Sequence, residues 1–302
     1  MEDKNIELIQ KILKQENIKY DKLEKSTSGF TNVVFFVDEN YVIKIVAENT
    51  KPEKLEKEIG FYKSVKLEGV PKYVASGTVE GVAYLIIEKL KGQSLYSIWH
   101  MLEQVERENI VKQICEILNN FHKVSFEFLP QKNITTNWQQ KWIDSFNKNI
   151  SILKDKNFDV KFLEEFTKTK LPLIMEEQKL SLVYNDAHFD NFLLCDGVVK
   201  LIDFDRVMYG SVDYELLIIK SMLDAPHKFA SEVDEPNVNP EHYVGIWNTL
   251  KTLCPTMFNF KYIDERLFIY QFVYNLGNAY EWHHDDWVEN ELNKFKQFFD
   301  IK

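Results

Sequence analysis

The sequence predicts an α+β chain of two lobes: a small one, residues 1–90, built from an antiparallel β-sheet and a helix, and a larger, mostly helical one, residues 91–302. Two observations carry this expectation. β-Branched and aromatic runs with hairpin signals crowd the first 90 residues, whereas apolar residues at helical spacing dominate the rest. With 302 residues, 45% of them hydrophobic and 14% aromatic, the chain can bury a core large enough for both lobes.

The elements follow in order. A charged start, Met1-Glu2-Asp3-Lys4, leads into an amphipathic helix marked by Ile6, Ile9, Ile12 and Leu13. That start lacks a signal-peptide pattern, and no run reaches the length of a membrane span, so a cytoplasmic protein is expected. Asn32–Val37 and Tyr41–Val46 read as a hairpin around Asp38-Glu39-Asn40. Lys44 falls in the middle of the second strand, where a charge is costly without a partner. Residues 52–67 read as a helix, with Pro52 near its start and apolar residues at Leu55, Ile59, Phe61 and Tyr62. Within it Glu58 is favoured over Glu53 and Glu56 as the partner of Lys44, because it directly precedes the Ile59–Tyr62 apolar turn. Strand pattern gives way to helix at Lys89–Gly92. Helical spacing then marks residues 103–121, 138–153, 161–177, 211–223, 241–253 and 264–280. His122, at the end of one of these, is expected to be a helix-terminal or core contact.

Chemistry concentrates in Leu182-Val183-Tyr184-Asn185-Asp186-Ala187-His188-Phe189-Asp190-Asn191 and in Leu201-Ile202-Asp203-Phe204-Asp205. Moving a γ-phosphoryl group needs a carboxylate to receive and orient the acceptor hydroxyl, and oxygen ligands for Mg²⁺ on the nucleotide phosphates. Asp186 is the candidate for the first task. Asn191 and Asp203 are candidates for the second, since a hard cation takes carboxylate and amide oxygens. Phe192–Leu194 and Val198–Ile202 read as strands joined at Asp196-Gly197, a hairpin turn signal that would bring Asn191 and Asp203 together. The same chemistry requires a strand lysine and a helix glutamate upstream, and Lys44 and Glu58 supply them.

These residues resemble the protein-kinase-like fold, and more closely its small-molecule branch, the aminoglycoside O-phosphotransferases and related choline-type kinases. The resemblance spans about residues 20–300. It rests on the loop Ser26-Thr27-Ser28-Gly29-Phe30-Thr31, Lys44, Glu58, the linker Glu88–Leu95, Asn185-Asp186 with Asn191, and Ile202-Asp203-Phe204. It implies a bilobal fold, ATP or GTP as phosphoryl donor, Ser28 and Gly29 over the nucleotide, and the backbone of Glu88 and Leu90 at the nucleobase. Gly210–Leu216 would open the following helix. Two departures stand out. Tyr184 occupies the position where such enzymes usually carry a histidine two residues before the catalytic aspartate, and its hydroxyl suits a structural role in holding the loop. Gly29 stands alone where a glycine-rich loop has three. Neither departure removes a catalytic group. After Asp203 only a short stretch precedes the next helix, leaving no room for the long segment that docks a peptide, so the acceptor should be small.

The charge narrows the acceptor further. The net charge of −10 is placed unevenly, −1 through residue 90 and −9 beyond it. No basic face interleaved with aromatics stands out, which disfavours nucleic acid. An acidic cleft would attract a cationic acceptor, an aminoglycoside first among them. Candidate acceptor contacts lie at Glu281, Trp282, Asp285 and Asp286, where carboxylates meet large aromatics, and at Glu235 in the acidic stretch Glu232–Pro236. The same acidic groups also suit the solvated first turn of a last helix. Cys115, Cys195 and Cys254 are scattered, without metal-site spacing, and read as buried thiols of a monomer in a reducing compartment. Rival readings are a same-fold kinase for choline, a macrolide or another metabolite, and a catalytically silent binding protein. The intact set Lys44, Glu58, Asp186, Asn191 and Asp203 argues against the last.

Overall fold

The computed structural model describes residues 2–26, 32–46 and 52–301. It begins with α1 (Glu2–Gln15), β1 (Leu23–Lys25), β2 (Asn32–Val37), β3 (Tyr41–Val46), α2 (Pro52–Ser64), β4 (Tyr73–Val79) and β5 (Val82–Glu88). The strands make one antiparallel sheet in the order β1-β2-β3-β5-β4. Val37 pairs with Tyr41 across the Asp38–Asn40 turn, and Val34 pairs with Lys44. Asp38 takes a φ of 50° there, a left-handed conformation that aspartate tolerates better than most residues.

Alternation along β5 divides the core. Tyr84 and Ile86 join Phe35, Ile43 and Ile45 beneath α1, packing against Ile9, Ile12 and Leu13. Leu85 and Ile87 point to the other face, where they join Leu55, Phe61 and Tyr62 of α2 and the buried core of the helical part. Lys44 lies opposite Leu85 in register. Cross-strand partners share a face, so its side chain is directed toward α2 and the helical part.

The rest of the chain is β6 (Gln93–Ser94), α3 (Leu95–Ile98), α4 (Gln104–Phe121), α5 (Trp138–Asp155), α6 (Lys161–Thr169), α7 (Leu171–Ile174), β7 (Leu180–Val183), β8 (Phe192–Cys195), β9 (Val198–Leu201), β10 (Met208–Ser211), α8 (Leu216–Asp224), α9 (Ile246–Leu253), α10 (Pro255–Phe258), α11 (Ile263–Glu281) and α12 (Asp285–Phe298). Two small sheets interrupt the helices, one in the order β6-β8-β9 and the other pairing β7 with β10. No helix among the described residues is long and apolar enough to cross a membrane. The three cysteines are free and buried.

Three helices differ from the sequence expectation. Residue 211 does not begin a helix: Ser211 closes β10 opposite Leu180, and Val212–Glu215 forms a 3₁₀ turn before α8 starts. Asp213 and Glu215 are fully buried in that turn, held by partners that a continuous helix would carry elsewhere. The segment 161–177 breaks at Lys170, because Pro172 has no amide hydrogen to continue the ladder of α6. The segment 241–253 splits at Gly245, whose φ of 90° separates a 3₁₀ turn at Pro240–Tyr243 from α9.

The connection from β5 into the helical part is held tightly. Gln93 and Ser94 pair with Leu194 and Leu193 of β8. A Cβ at Gly92 would lie 2.4 Å from Cys195 Sγ and 2.8 Å from the Leu194 carbonyl oxygen. Gly92→Ala should therefore destabilise the protein by about 1–3 kcal/mol, as overpacking does. Urea unfolding followed by circular dichroism would measure it, and an unchanged midpoint would refute the close approach.

Candidate active site

The loop between β7 and β8 carries Asp186 and Asn191, and its backbone is fixed before its side chains can act. Glu215, fully buried, accepts from the amides of Tyr184 at 2.7 Å and Asn185 at 3.0 Å. His122, the C-cap of α4, lies 3.4 Å from the same carboxylate, so it is a buried core contact. Tyr184 donates its hydroxyl to the carbonyl of Ile202 at 2.5 Å, tying this loop to the one bearing Asp203. Asn191 is likewise joined to that loop, its carbonyl accepting from the Ile202 amide at 3.0 Å. Asn185 and Asp203 both adopt left-handed backbone, with φ of 61° and 62°, a conformation that short polar side chains visit more readily than others.

Both oxygens of Asp186 are engaged. Asn191 Nδ2 donates to Oδ2 at 2.9 Å and to the Asp186 carbonyl at 2.9 Å. Arg206 Nη1 donates to Oδ1 at 3.2 Å, and His188 Nε2 stands 3.7 Å from Oδ2. Burial works against the Asp186 charge, but His188, Arg206 and Asn191 outweigh it and hold the carboxyl below the usual carboxylate range. A carboxylate kept ionised can orient a hydroxyl and take up its proton.

Lys44 and Asp203 meet on the other side. Lys44 Nζ donates to Glu58 Oε1 at 2.7 Å and to Asp203 Oδ1 at 3.1 Å. Burial disfavours the ammonium, yet the Asp203 and Glu58 carboxylates overcome this and hold Lys44 protonated above the usual lysine range. The Phe204 amide also points at Glu58 Oε1, at 3.4 Å. Phe204 itself stacks on Phe61 at 4.0 Å between ring centres and meets Tyr184 at 5.5 Å. An apolar column thus sets the distance from α2 to the Asp186 loop, and with it the reach of Lys44.

Of the residues singled out in the sequence, the fold brings Lys44, Glu58 and Asp203 into contact, and Asp186 and Asn191 into contact. Ser28 and Gly29 lie outside the described residues. At the linker, the Glu88 amide is taken by the Lys72 carbonyl at 2.9 Å and the Lys89 amide by the Asn40 carbonyl at 2.8 Å. A nucleobase there would be left the Glu88 carbonyl and the Leu90 backbone. Glu235, Glu281, Trp282, Asp285 and Asp286 are exposed. Asp285 pairs at 2.6 Å with Lys156, the residue just past α5.

The sequence reading had not picked out Arg206, Glu215 or Asp190. Asp213 and Glu215, two acids just ahead of the apolar run Leu216–Ile219, show the pattern of buried carboxylates, which could have flagged Glu215. Nothing in the spacing marks Arg206. Asp190 accepts from Ser94 Oγ at 3.1 Å; burial pushes its carboxyl up, with Ser94 and His188 opposing and the Asp234 charge adding.

Residues 22–236 match the family model of the phosphotransferase enzyme family, APH. The chain belongs to that family. It is an enzyme, a phosphotransferase, with an α+β fold of the protein-kinase-like kind. Among solved structures it is similar to the gentamicin complex of APH(2″)-IIa, with 18% identity and a TM-score of 0.66 over 96% of this chain and 95% of that one. It is similar to ADP-bound aminoglycoside phosphotransferase APH(2″)-Ib, with 20% identity and a TM-score of 0.64 over 95% of each chain. A choline/ethanolamine kinase family protein from Mesorhizobium loti shares 14% identity, with a TM-score of 0.56 over 92% of this phosphotransferase and 87% of that protein. At such identities these likenesses speak for the fold. No curated protein matches the sequence.

Proposed function

We propose that this phosphotransferase moves the γ-phosphoryl group of Mg²⁺-bound ATP or GTP to a hydroxyl of a small, cationic acceptor, aminoglycosides first. The observation that carries the reading is the facing pair of clusters, Asp186 with Asn191 on one loop and Asp203 with Lys44 and Glu58 on the next. Asp186 orients the acceptor hydroxyl and takes up its proton. Lys44, steadied by Glu58, contacts the nucleotide phosphates.

The residues present fit Mg²⁺. Asn191 turns its Nδ2 toward Asp186, so its own Oδ1 would be the atom offered to a cation. The Asp203 side chain keeps 39% of its surface exposed, although Lys44 bonds one of its oxygens. One carboxylate and one amide oxygen, with nucleotide phosphates and water completing the shell, is an arrangement this ion favours. When bound, the ion would neutralise charge on the β- and γ-phosphate oxygens. Asp203→Ala should weaken Mg²⁺-dependent nucleotide binding by at least about tenfold, since it removes the charged ligand. Calorimetry returning the wild-type affinity would count against this role.

Similar structures carry gentamicin or ADP, which supports a cationic acceptor and a nucleotide donor for this chain. Asp190, within the Asp186 loop, and Asp234, whose charge acts on it, would add negative charge that suits a cationic acceptor. A second reading, an amino-alcohol acceptor, draws on the similarity to a choline/ethanolamine kinase family protein. A coupled nucleotide assay would separate the two readings, run with ATP and with GTP against aminoglycosides, choline, ethanolamine and macrolides. No turnover of any cationic acceptor, alongside turnover of a neutral one, would refute the acceptor class.

A further inference from the structure

The Asn191 side chain ends in an oxygen and a nitrogen of similar size, and only the oxygen can hold a cation. The groups that face the amide decide which way it points. Its Nδ2 meets three acceptors: the Asp186 carbonyl at 2.9 Å, Asp186 Oδ2 at 2.9 Å and His188 Nε2 at 3.0 Å. Turned over, the amide would set its oxygen against both oxygens of Asp186, so its sense is fixed. Asn191 is buried, and a rotation cannot be made good by water.

His188 is placed for this contact by its own backbone. Its amide donates to the Asp186 carbonyl at 2.8 Å and its carbonyl accepts from the Asn191 amide at 2.9 Å, which brackets the ring between the two residues. Nε2 stands 3.7 Å from Asp186 Oδ2, beyond hydrogen-bond length, and closer to Asn191. Facing an NH₂ group, Nε2 accepts, and the hydrogen of the neutral ring sits on Nδ1. Nδ1 is buried and, among the described residues, has no hydrogen-bond partner. A buried donor left in that state costs stability. The ring also lies 6.1 Å from that of Phe229, and an apolar residue would pack there without the cost.

We propose that His188 is a positioning residue for the metal: it accepts from Asn191 Nδ2 and so keeps Asn191 Oδ1 turned toward Mg²⁺ on the nucleotide. The inference rests on the reading of Asn191 as a ligand. In this role His188 makes and breaks no bond and acts through the Asn191 amide alone. Partners that orient a metal ligand in this way are worth about 10- to 100-fold in metal affinity.

The test is calorimetry of the full-length protein with non-hydrolysable analogues of ATP and of GTP, with Mg²⁺ and with excess chelator. Mg²⁺ should tighten nucleotide binding to the wild type, and in His188→Leu that tightening should shrink about tenfold or more, with the metal-free affinity unchanged. A purely structural role would weaken both. His188→Gln, whose Oε1 offers an acceptor near the place of Nε2, should keep most of the tightening. Asn191→Ala should lose it, and adding His188→Leu to Asn191→Ala should cost nothing more, because the effect runs through the amide. Full tightening in folded His188→Leu, an equal loss with and without Mg²⁺, a loss in His188→Gln as large as in His188→Leu, or additive losses in the double variant would overturn the proposal. Full tightening in Asn191→Ala would refute Asn191 as a ligand, and this inference with it.

Discussion

Asp186→Ala should lower kcat by about 10²- to 10⁴-fold, the range that a positioned general base contributes. Affinity for the Mg²⁺-nucleotide should stay close to wild type, because Asp186 sits with Asn191 and Arg206 and not with the Lys44 group. Single-turnover kinetics with calorimetry of nucleotide binding separates the two effects, and near-wild-type turnover would remove Asp186 from the mechanism. The pH response follows from the same contacts. The folded carboxyl lies below its ordinary value, so its contribution to stability is present above that value and is lost as pH falls through the folded one. Activity that depends on this carboxylate should therefore persist to mildly acidic pH. A loss of kcat setting in near neutrality would need another group.

Arg266→Leu should destabilise the protein by about 3–5 kcal/mol, the cost of leaving a buried charge without its partner. The Arg266 guanidinium is fully buried and donates to both oxygens of Asp213, at 2.6 and 3.1 Å. It also reaches Ser211 Oγ and the carbonyls of Ile174 and Glu177 at 3.0–3.1 Å. Removing it strands Asp213, which among the described residues keeps the hydroxyls of Tyr270 and Ser211. The double variant Arg266→Leu/Asp213→Leu should be less destabilised than the single one, since no bare charge remains. Denaturant unfolding of the three proteins tests this, and a single-variant loss under about 1 kcal/mol would contradict it. Asp213 lies two residues before Glu215, which clamps the Asp186 loop, so the folded fraction of Arg266→Leu should also turn over more slowly.

The strands and the hairpins around Asp38–Asn40 and Asp196-Gly197 were legible because period-two patterns and turn residues act locally. Helix ends were less so. The 3₁₀ turn at Val212–Glu215 follows from where Asp213 and Glu215 find partners, on α11 and on the Asp186 loop, and periodicity does not report such long-range contacts. Lys44 and Glu58 could be paired in advance since a strand charge must be compensated nearby, and α2 is the next element on that face.

By itself the sequence determined the α+β class, the two hairpins around Asp38–Asn40 and Asp196-Gly197, and the place of the main helices. It also put the carboxylates, the amide and the lysine proposed for phosphoryl transfer at spacings that suit that chemistry. The tertiary structure alone decided that Arg206 bonds Asp186 and that Glu215 holds the loop backbone. Each of these depends on residues distant in the chain converging on one point, and side-chain charge acts through space with no trace in local periodicity.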